Sequence, residues 1–143
     1  MIAVDTNILV YGHRRESRHH DTASTPLPTL AGAEARWAVP WPCLYEFFGV
    51  VTNPRIWKQS ASTQTQAWRQ IEAWTRSPSL VLLGETGGFT EILGDFVCRP
   101  RVIGPLVHDA RIAAICVAHG VTELLTADRD FGLFPELRTR NPL

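Results

Sequence analysis

The stretch Val107-His108-Asp109-Ala110-Arg111-Ile112-Ala113-Ala114-Ile115-Cys116-Val117-Ala118-His119-Gly120 runs on into Val121-Thr122-Glu123-Leu124-Leu125-Thr126-Ala127-Asp128-Arg129-Asp130-Phe131. The first half reads as a buried helix. Apolar residues lie almost all round it, alanines permit close packing, and Gly120 ends it. The second half reads as a short strand closing on Thr126, Asp128 and Asp130. Asp109 is an acid inside an apolar helix, and Asp128 and Asp130 fall where a buried strand ends. Isolated carboxylates in such places are costly, so a cationic group is expected to compensate them.

The rest of the chain alternates in the same way. Ile2-Ala3-Val4 is an apolar run of the central-strand type. It is followed by Asp5-Thr6-Asn7, where Thr6 or Asn7 can cap a short helix through Ile8–Tyr11. Asp5 then sits at the C-terminal end of the first strand, as a cap or as something more. Trp37–Pro40 is a second strand, and Pro42 suits the first turn of a helix through Cys43–Val51. Glu46 is the only acid of that helix, crowded by Leu44, Tyr45, Phe47 and Phe48. Thr52-Asn53-Pro54 reads as its stop. A polar helix covers Thr63–Thr75, with Ile71 and Trp74 in a stripe that Ala67 and Trp68 can join. Leu80–Leu83 is a third strand and Gly87–Val97 a further helix. Gly104-Pro105 starts the Asp109 helix, and Arg138–Asn141 suits an edge strand.

The segment His13-Arg14-Arg15-Glu16-Ser17-Arg18-His19-His20 is a cationic loop that can touch phosphates or a partner. Charged stretches usually face water, and a solvated turn is the reading adopted. Adjacent His19 and His20 do not share a helical face and make a poor metal pair. Pro26 and Pro28 predict irregular backbone toward Arg36. Strands alternating with helices imply an α/β three-layer sandwich with a mainly parallel central sheet. At 143 residues one domain spanning 1–143 is expected.

Composition narrows the function. No segment reaches transmembrane length, and Asp5 comes too early for a signal peptide. Cys43, Cys98 and Cys116 are odd in number and lack a CxxC, which argues against a disulfide framework or zinc and for a reducing cytoplasm. Net charge is zero, so no overall basic field announces a nucleic acid. Of the 14 cations all but Lys58 are arginine, a residue suited to bidentate phosphate contacts, although a GC-rich genome gives the same bias.

Asp5 and Asp128 fall at the C-terminal ends of two strands, where open α/β sheets place their ligand crevice. Glu46 and Asp109 fall near the starts of helices beside it. Four converging carboxylates repel one another, and a divalent cation relieves this; oxygen-only ligands favour Mg²⁺ or Mn²⁺ over zinc. No glycine-rich phosphate loop and no Ser-His-Asp spacing stand out. Metal-assisted phosphodiester hydrolysis is the chemistry that fits.

Asp5-Thr6-Asn7, Leu44-Tyr45-Glu46-Phe47, His108-Asp109-Ala110-Arg111-Ile112-Ala113-Ala114 and Thr126-Ala127-Asp128-Arg129-Asp130-Phe131 together resemble a PIN-domain ribonuclease, in particular the VapC toxins of bacterial type II toxin–antitoxin systems. The resemblance spans essentially the whole chain, with the four motifs in the family's order. It implies strand order 3-2-1-4-5, a Mg²⁺ or Mn²⁺ site, endonucleolytic RNA cleavage, a homodimer and a small VapB-like antitoxin. Residue by residue, Asp5, Glu46, Asp109 and Asp128 match the acidic quartet. Asp5, Asp109 and Asp128 are then expected to hold metal, with Glu46 binding it directly or through water. Thr126 matches the neighbouring hydroxyl, with Thr6 and Asn7 in support. Asp130 is either an outer-shell ligand or the turn residue before Phe131, and the turn is preferred. Neutral net charge is a departure, placing RNA docking on local arginines. Tyr45 or Trp41 can stack on a splayed base, core packing being the plainer reading. The alternatives are an inactive PIN-like binding module and a receiver-like phosphoacceptor domain. The latter needs a late lysine, and Lys58 is the only lysine present.

Overall fold

The computed structural model describes residues 1–143. The elements are β1 (Ile2–Val4), α1 (Thr6–His13), α2 (His20–Ser24), α3 (Pro26–Gly32), β2 (Trp37–Pro40), α4 (Trp41–Val51), α5 (Pro54–Trp57), α6 (Gln64–Thr75), β3 (Leu80–Leu83), α7 (Phe89–Val97), α8 (Leu106–Ala118), β4 (Glu123–Leu125) and β5 (Thr139–Arg140). Short 3₁₀ turns occupy Lys58–Ser60 and Asp130–Leu133. The strands form one sheet in the order β3-β2-β1-β4-β5, and every pairing is parallel. This is the order the resemblance implies.

Consecutive strand residues point to opposite faces, yet Trp37, Ala38 and Val39 of β2 and Ala3 and Val4 of β1 are all fully buried. Both faces of the central sheet are therefore covered, as apolar runs in a parallel sheet require. α1 packs on α2 and α4, α4 on α6, and α7 on α8. The buried side chains join into one connected core. No helix is long and apolar enough to cross a membrane.

Local signals explain most boundaries. Gly120 takes φ +65°, and the backbone beyond Ala118 leaves the helix there, as a left-handed C-terminal glycine predicts. Thr63 and Gln66 form a reciprocal capping box at the start of α6. Register then positions the crevice: Val4 pairs with Leu125, so the residues that follow them, Asp5 and Thr126, emerge side by side at the C-terminal edge.

Several expectations change. The proline segment is not irregular, because Pro26 opens α3 at a first-turn position where its missing N–H costs nothing. α4 starts at Trp41, directly after β2, so Glu46 lies at mid-helix rather than near its start. The β4 strand stops at Leu125, leaving Thr126 to Arg129 in the loop beyond and Asp130 at the start of the 3₁₀ turn. Asn53-Pro54 does not only stop α4; Asn53 accepts from the Arg55 N–H and caps α5. Trp68 does not join the buried stripe of Ala67, Ile71 and Trp74 and is half exposed. Nor is the cationic loop wholly solvated, since Arg14 is buried.

Candidate active site

Asp5 is the hub. Its Oδ1 accepts from the Thr6 N–H at 2.7 Å, so of the three candidates Asp5, Thr6 and Asn7 it is Asp5 that caps α1. Its Oδ2 accepts from Thr126 Oγ1 at 2.6 Å and from Asn7 Nδ2 at 2.7 Å. The Thr126 hydroxyl also accepts from the Asp128 N–H at 2.9 Å and from Asn7 Nδ2 at 3.1 Å. One donated and two accepted bonds saturate that oxygen. Asn7 Oδ1 accepts from the Ala127 N–H at 3.0 Å, so the amide ties the start of α1 to the loop after β4.

The other acids come from three directions. Thr6 Oγ1 donates to Glu46 Oε2 at 2.7 Å, drawing α4 toward the first turn of α1. Asp109 stands in the first turn of α8, where the positive end of the helix favours a carboxylate. Asp128 folds its carboxylate back to accept from the Asp130 N–H at 2.9 Å. This corrects the turn assignment: Asp128 makes the turn, while the Asp130 side chain is exposed and takes no such part. Asp5, Glu46, Asp109 and Asp128 line one cleft of about 300 Å³ together with Thr6, Asn7, Val10, Tyr11, Val50 and Trp57.

The cleft is electrostatically strained. Burial, resisted by the hydrogen bonds from Thr126 and Thr6 and reinforced by Glu46 and Asp128, lifts the Asp5 carboxyl to about 6. Asp109 is lifted to about 7, first by burial and then by the charges of Asp128, Asp5, Glu46 and Asp130. The expected cationic compensation does not occur within the chain. Arg14, Arg99, Arg111, Arg138 and Arg140 pair with Glu16, Asp95, Glu136, Glu85 and Glu123, none of them in the cleft. Hydroxyl and amide donors do the compensating, and Asp109 has neither.

These donors are oxygen-only and mutually repelling, a chemistry that fits a hard divalent cation. As the side chains stand, however, no three acidic, histidine or cysteine groups are drawn closely enough together to hold an ion. Asp5 turns both oxygens to protein donors and Asp128 one, so the set is assembled around the cleft without being closed.

The sequence reading missed the cleft's other wall. Trp57 belongs to α5, whose signal was Asn53 followed by proline, a cap and a first-turn residue. Crowding of Glu46 was also overstated: Leu44 and Phe47 face the core, whereas Tyr45 is 63% exposed and Trp41 36%. Core packing is therefore not what these two aromatics do. They stack with ring centroids 5.8 Å apart, and with Leu44, Phe48, Trp68 and Ile71 they line an apolar groove of about 320 Å³ along α4.

Comparison with known proteins agrees with this architecture. The family model described as PIN domain matches residues 2–137. Ribonuclease VapC43 of Mycobacterium tuberculosis is 34% identical, over 100% of this chain and 96% of its own length. Ribonuclease VapC48 of the same species is 29% identical over 96% and 94%. Among solved structures, VapBC-1 from nontypeable Haemophilus influenzae superposes with a TM-score of 0.70 at 18% identity, covering 99% of this chain and 98% of that one. VapBC2 from Rickettsia felis, bound to a DNA fragment from its promoter, gives 0.68 at 22% identity over the same shares. By the family model matched over residues 2–137 and by 34% identity to a VapC ribonuclease along the whole chain, the chain belongs to the PIN-domain family, in its VapC branch.

Proposed function

We infer that this protein is a Mg²⁺- or Mn²⁺-dependent endoribonuclease and the toxin of a VapBC-type pair, acting in the cytoplasm. The observation that carries the reading is the cleft itself: four carboxylates share it and no arginine, lysine or histidine of the chain pairs with any of them. The names of the relatives, all VapC ribonucleases, supply the substrate class. Asp5, Asp109 and Asp128 would hold the ion. When bound, a divalent cation there lowers the pKa of a water and offsets charge on the scissile phosphate.

The chain's own groups divide the remaining work. Glu46 keeps one oxygen on Thr6 and leaves the other to orient the attacking water. Asn7 and Thr126 hold Asp5 in one rotamer. As the water oxygen adds to phosphorus and releases a proton, the bond to the leaving ribose oxygen breaks, that oxygen takes a proton from solvent, and the strand is cut. Asp130 stands outside this set.

The partner reading follows from the groove along α4. Phe47 and Val51 are buried in the core, and Leu44 and Ile71 are buried at the floor of the groove, so the landing surface consists of Trp41, Tyr45, Phe48 and Trp68. An amphipathic antitoxin segment would seat there and extend a basic side chain among the unpaired acids, blocking the site. A homodimer is part of the same proposal.

Cleavage of RNA with Mg²⁺ or Mn²⁺, with EDTA, and by Asp109→Asn tests the reading. Activity is expected only in the first condition. Cleavage that persists in EDTA, or full activity in a folded Asp109→Asn protein, overturns it.

A further inference from the structure

A second cleft opens behind Trp57, and its chemistry is the inverse of the first. It encloses about 500 Å³, has no hydrophobic residue in its lining, and is built from the end of α1, the loop after it and α6. Its floor is Arg14, only 4% exposed, whose guanidinium lies 4.2 Å over the Trp57 ring. The Arg14 Nη atoms donate to Ser60 O at 2.7 Å and Ser62 Oγ at 3.2 Å and pair with Glu16. Its Nε is the one buried side-chain polar atom in the chain without a partner. Buried arginines are uncommon unless something fixes them, and here Trp57 and the serines hold one at the wall of a polar cavity.

Around that floor stand Arg15 and Arg69, both exposed, and neither pairs with any carboxylate. Burial lowers the pKa of His13, which leaves it uncharged near neutrality. Three arginines against Glu16 give the lining a net charge of +2 in a protein whose total is zero. The two clefts share a wall. Trp57 lines the acidic one and carries Arg14 on its ring, while Val10 and His13, which line the acidic and the basic cleft, are three residues apart on α1. That separation is a rise of about 4.5 Å along the helix.

We propose that this basic cleft is a phosphodiester subsite for the RNA strand. Arg15 and Arg69 contact a backbone phosphate removed from the bond being cut, and Arg14 serves as the fixed floor. The inference rests on the ribonuclease reading and deepens it. Arginine forks suit phosphate oxygens, and a strand whose reacting phosphate lies among carboxylates needs its attraction supplied elsewhere. The local arginines that a neutral nuclease requires are then found beside the cleft rather than in it.

The test compares the parent with Arg15→Ala/Arg69→Ala on oligouridylates of about three and about twelve nucleotides, lengths chosen around single-strand site sizes. On the longer strand kcat/KM should fall about tenfold with kcat unchanged. On the shorter one it should not move. The slope of log kcat/KM against log salt should become shallower by about 1.4, two contacts at about 0.7 each. Glu16→Gln should raise kcat/KM on the longer strand.

A folded double variant that cuts both lengths like the parent, with the same salt slope, overturns the subsite and leaves the ribonuclease reading standing. A parent that cuts neither these strands nor folded total cellular RNA with Mg²⁺ or Mn²⁺ overturns both. Inorganic phosphate supplies the last arm. If it stabilises the parent but not the double variant, while RNA kinetics are equal in the two, the cleft takes free phosphate and the RNA assignment falls.

Discussion

Replacing Asp109 with asparagine should make the metal-free protein more stable, against the usual direction of a substitution beside a core. The reason lies in what Asp109 lacks: no hydrogen bond is lost, and a charge opposed by Asp128, Asp5, Glu46 and Asp130 is removed. Its carboxyl moves from 3.8 to about 7 on folding. Three units at about 1.4 kcal/mol each set a ceiling of about 4 kcal/mol. Asp109 is only partly buried, so solvent screens the group and brings the expected gain to about 1–2 kcal/mol. The sign follows from linkage. The folded pKa is raised, so the folded state binds the extra proton between about pH 4 and 7. Stability of the parent therefore falls as pH rises across that window and is level above it. Asparagine has no such dependence. In EDTA near pH 8, where the parent carries the whole penalty, Asp109→Asn should melt about 3–6 °C higher. The gap should close toward pH 4. Added Mg²⁺ should raise the parent's Tm and leave the variant's nearly unmoved. Thermal melts by circular dichroism across the pH range check this. A variant that melts below the parent at pH 8, or a gap constant with pH, refutes the repulsion argument.

Asp128→Asn can keep the turn through its amide oxygen, so it should fold normally and lose RNA cleavage at every metal concentration. Asp130→Asn should stay within about 0.5 kcal/mol of the parent in denaturant melts and retain cleavage. Thr126→Val removes a hydroxyl that makes three hydrogen bonds and should cost about 2–3 kcal/mol, read as a fall in urea midpoint, while Thr126→Ser recovers most of it. Arg14→Ala should destabilise by about 2–3 kcal/mol, and Arg14→Lys should restore less than half, because a single ammonium cannot serve Ser60, Ser62 and the Trp57 face together. Trp68→Ser should abolish copurification with the small antitoxin-like partner while leaving cleavage by the free protein intact, since Trp68 faces the groove and not the cleft.

What could be read in advance, and what could not, divides along a physical line. β1 to β3 and the end of α8 at Gly120 are local matters, settled by apolar runs and a left-handed glycine. The acids stood out because charge within apolar stretches is visible in the chain. Their lack of a cation was not legible, since whether an arginine reaches a carboxylate depends on tertiary placement. The same holds for Arg14, whose burial is decided by Ser60, Ser62 and Trp57, 43 to 48 residues away. Choosing between Asp128 and Asp130 for the turn needed the end of β4 to within two residues, and two pairing residues more or less are not encoded in so short a strand. Tyr45 and Trp41 were misjudged because a mean apolar composition does not say which face of α4 the sheet covers.

The direct passage of β2 into α4 at Pro40-Trp41 has a consequence for length variation. With no loop to absorb a change, one residue inserted there would turn α4 by roughly 100° about its axis. Glu46 would swing off the cleft, and Cys43, Leu44 and Phe47 would leave the core with it. The junction is thus a phase-setting joint, at which the number of residues matters more than their kind.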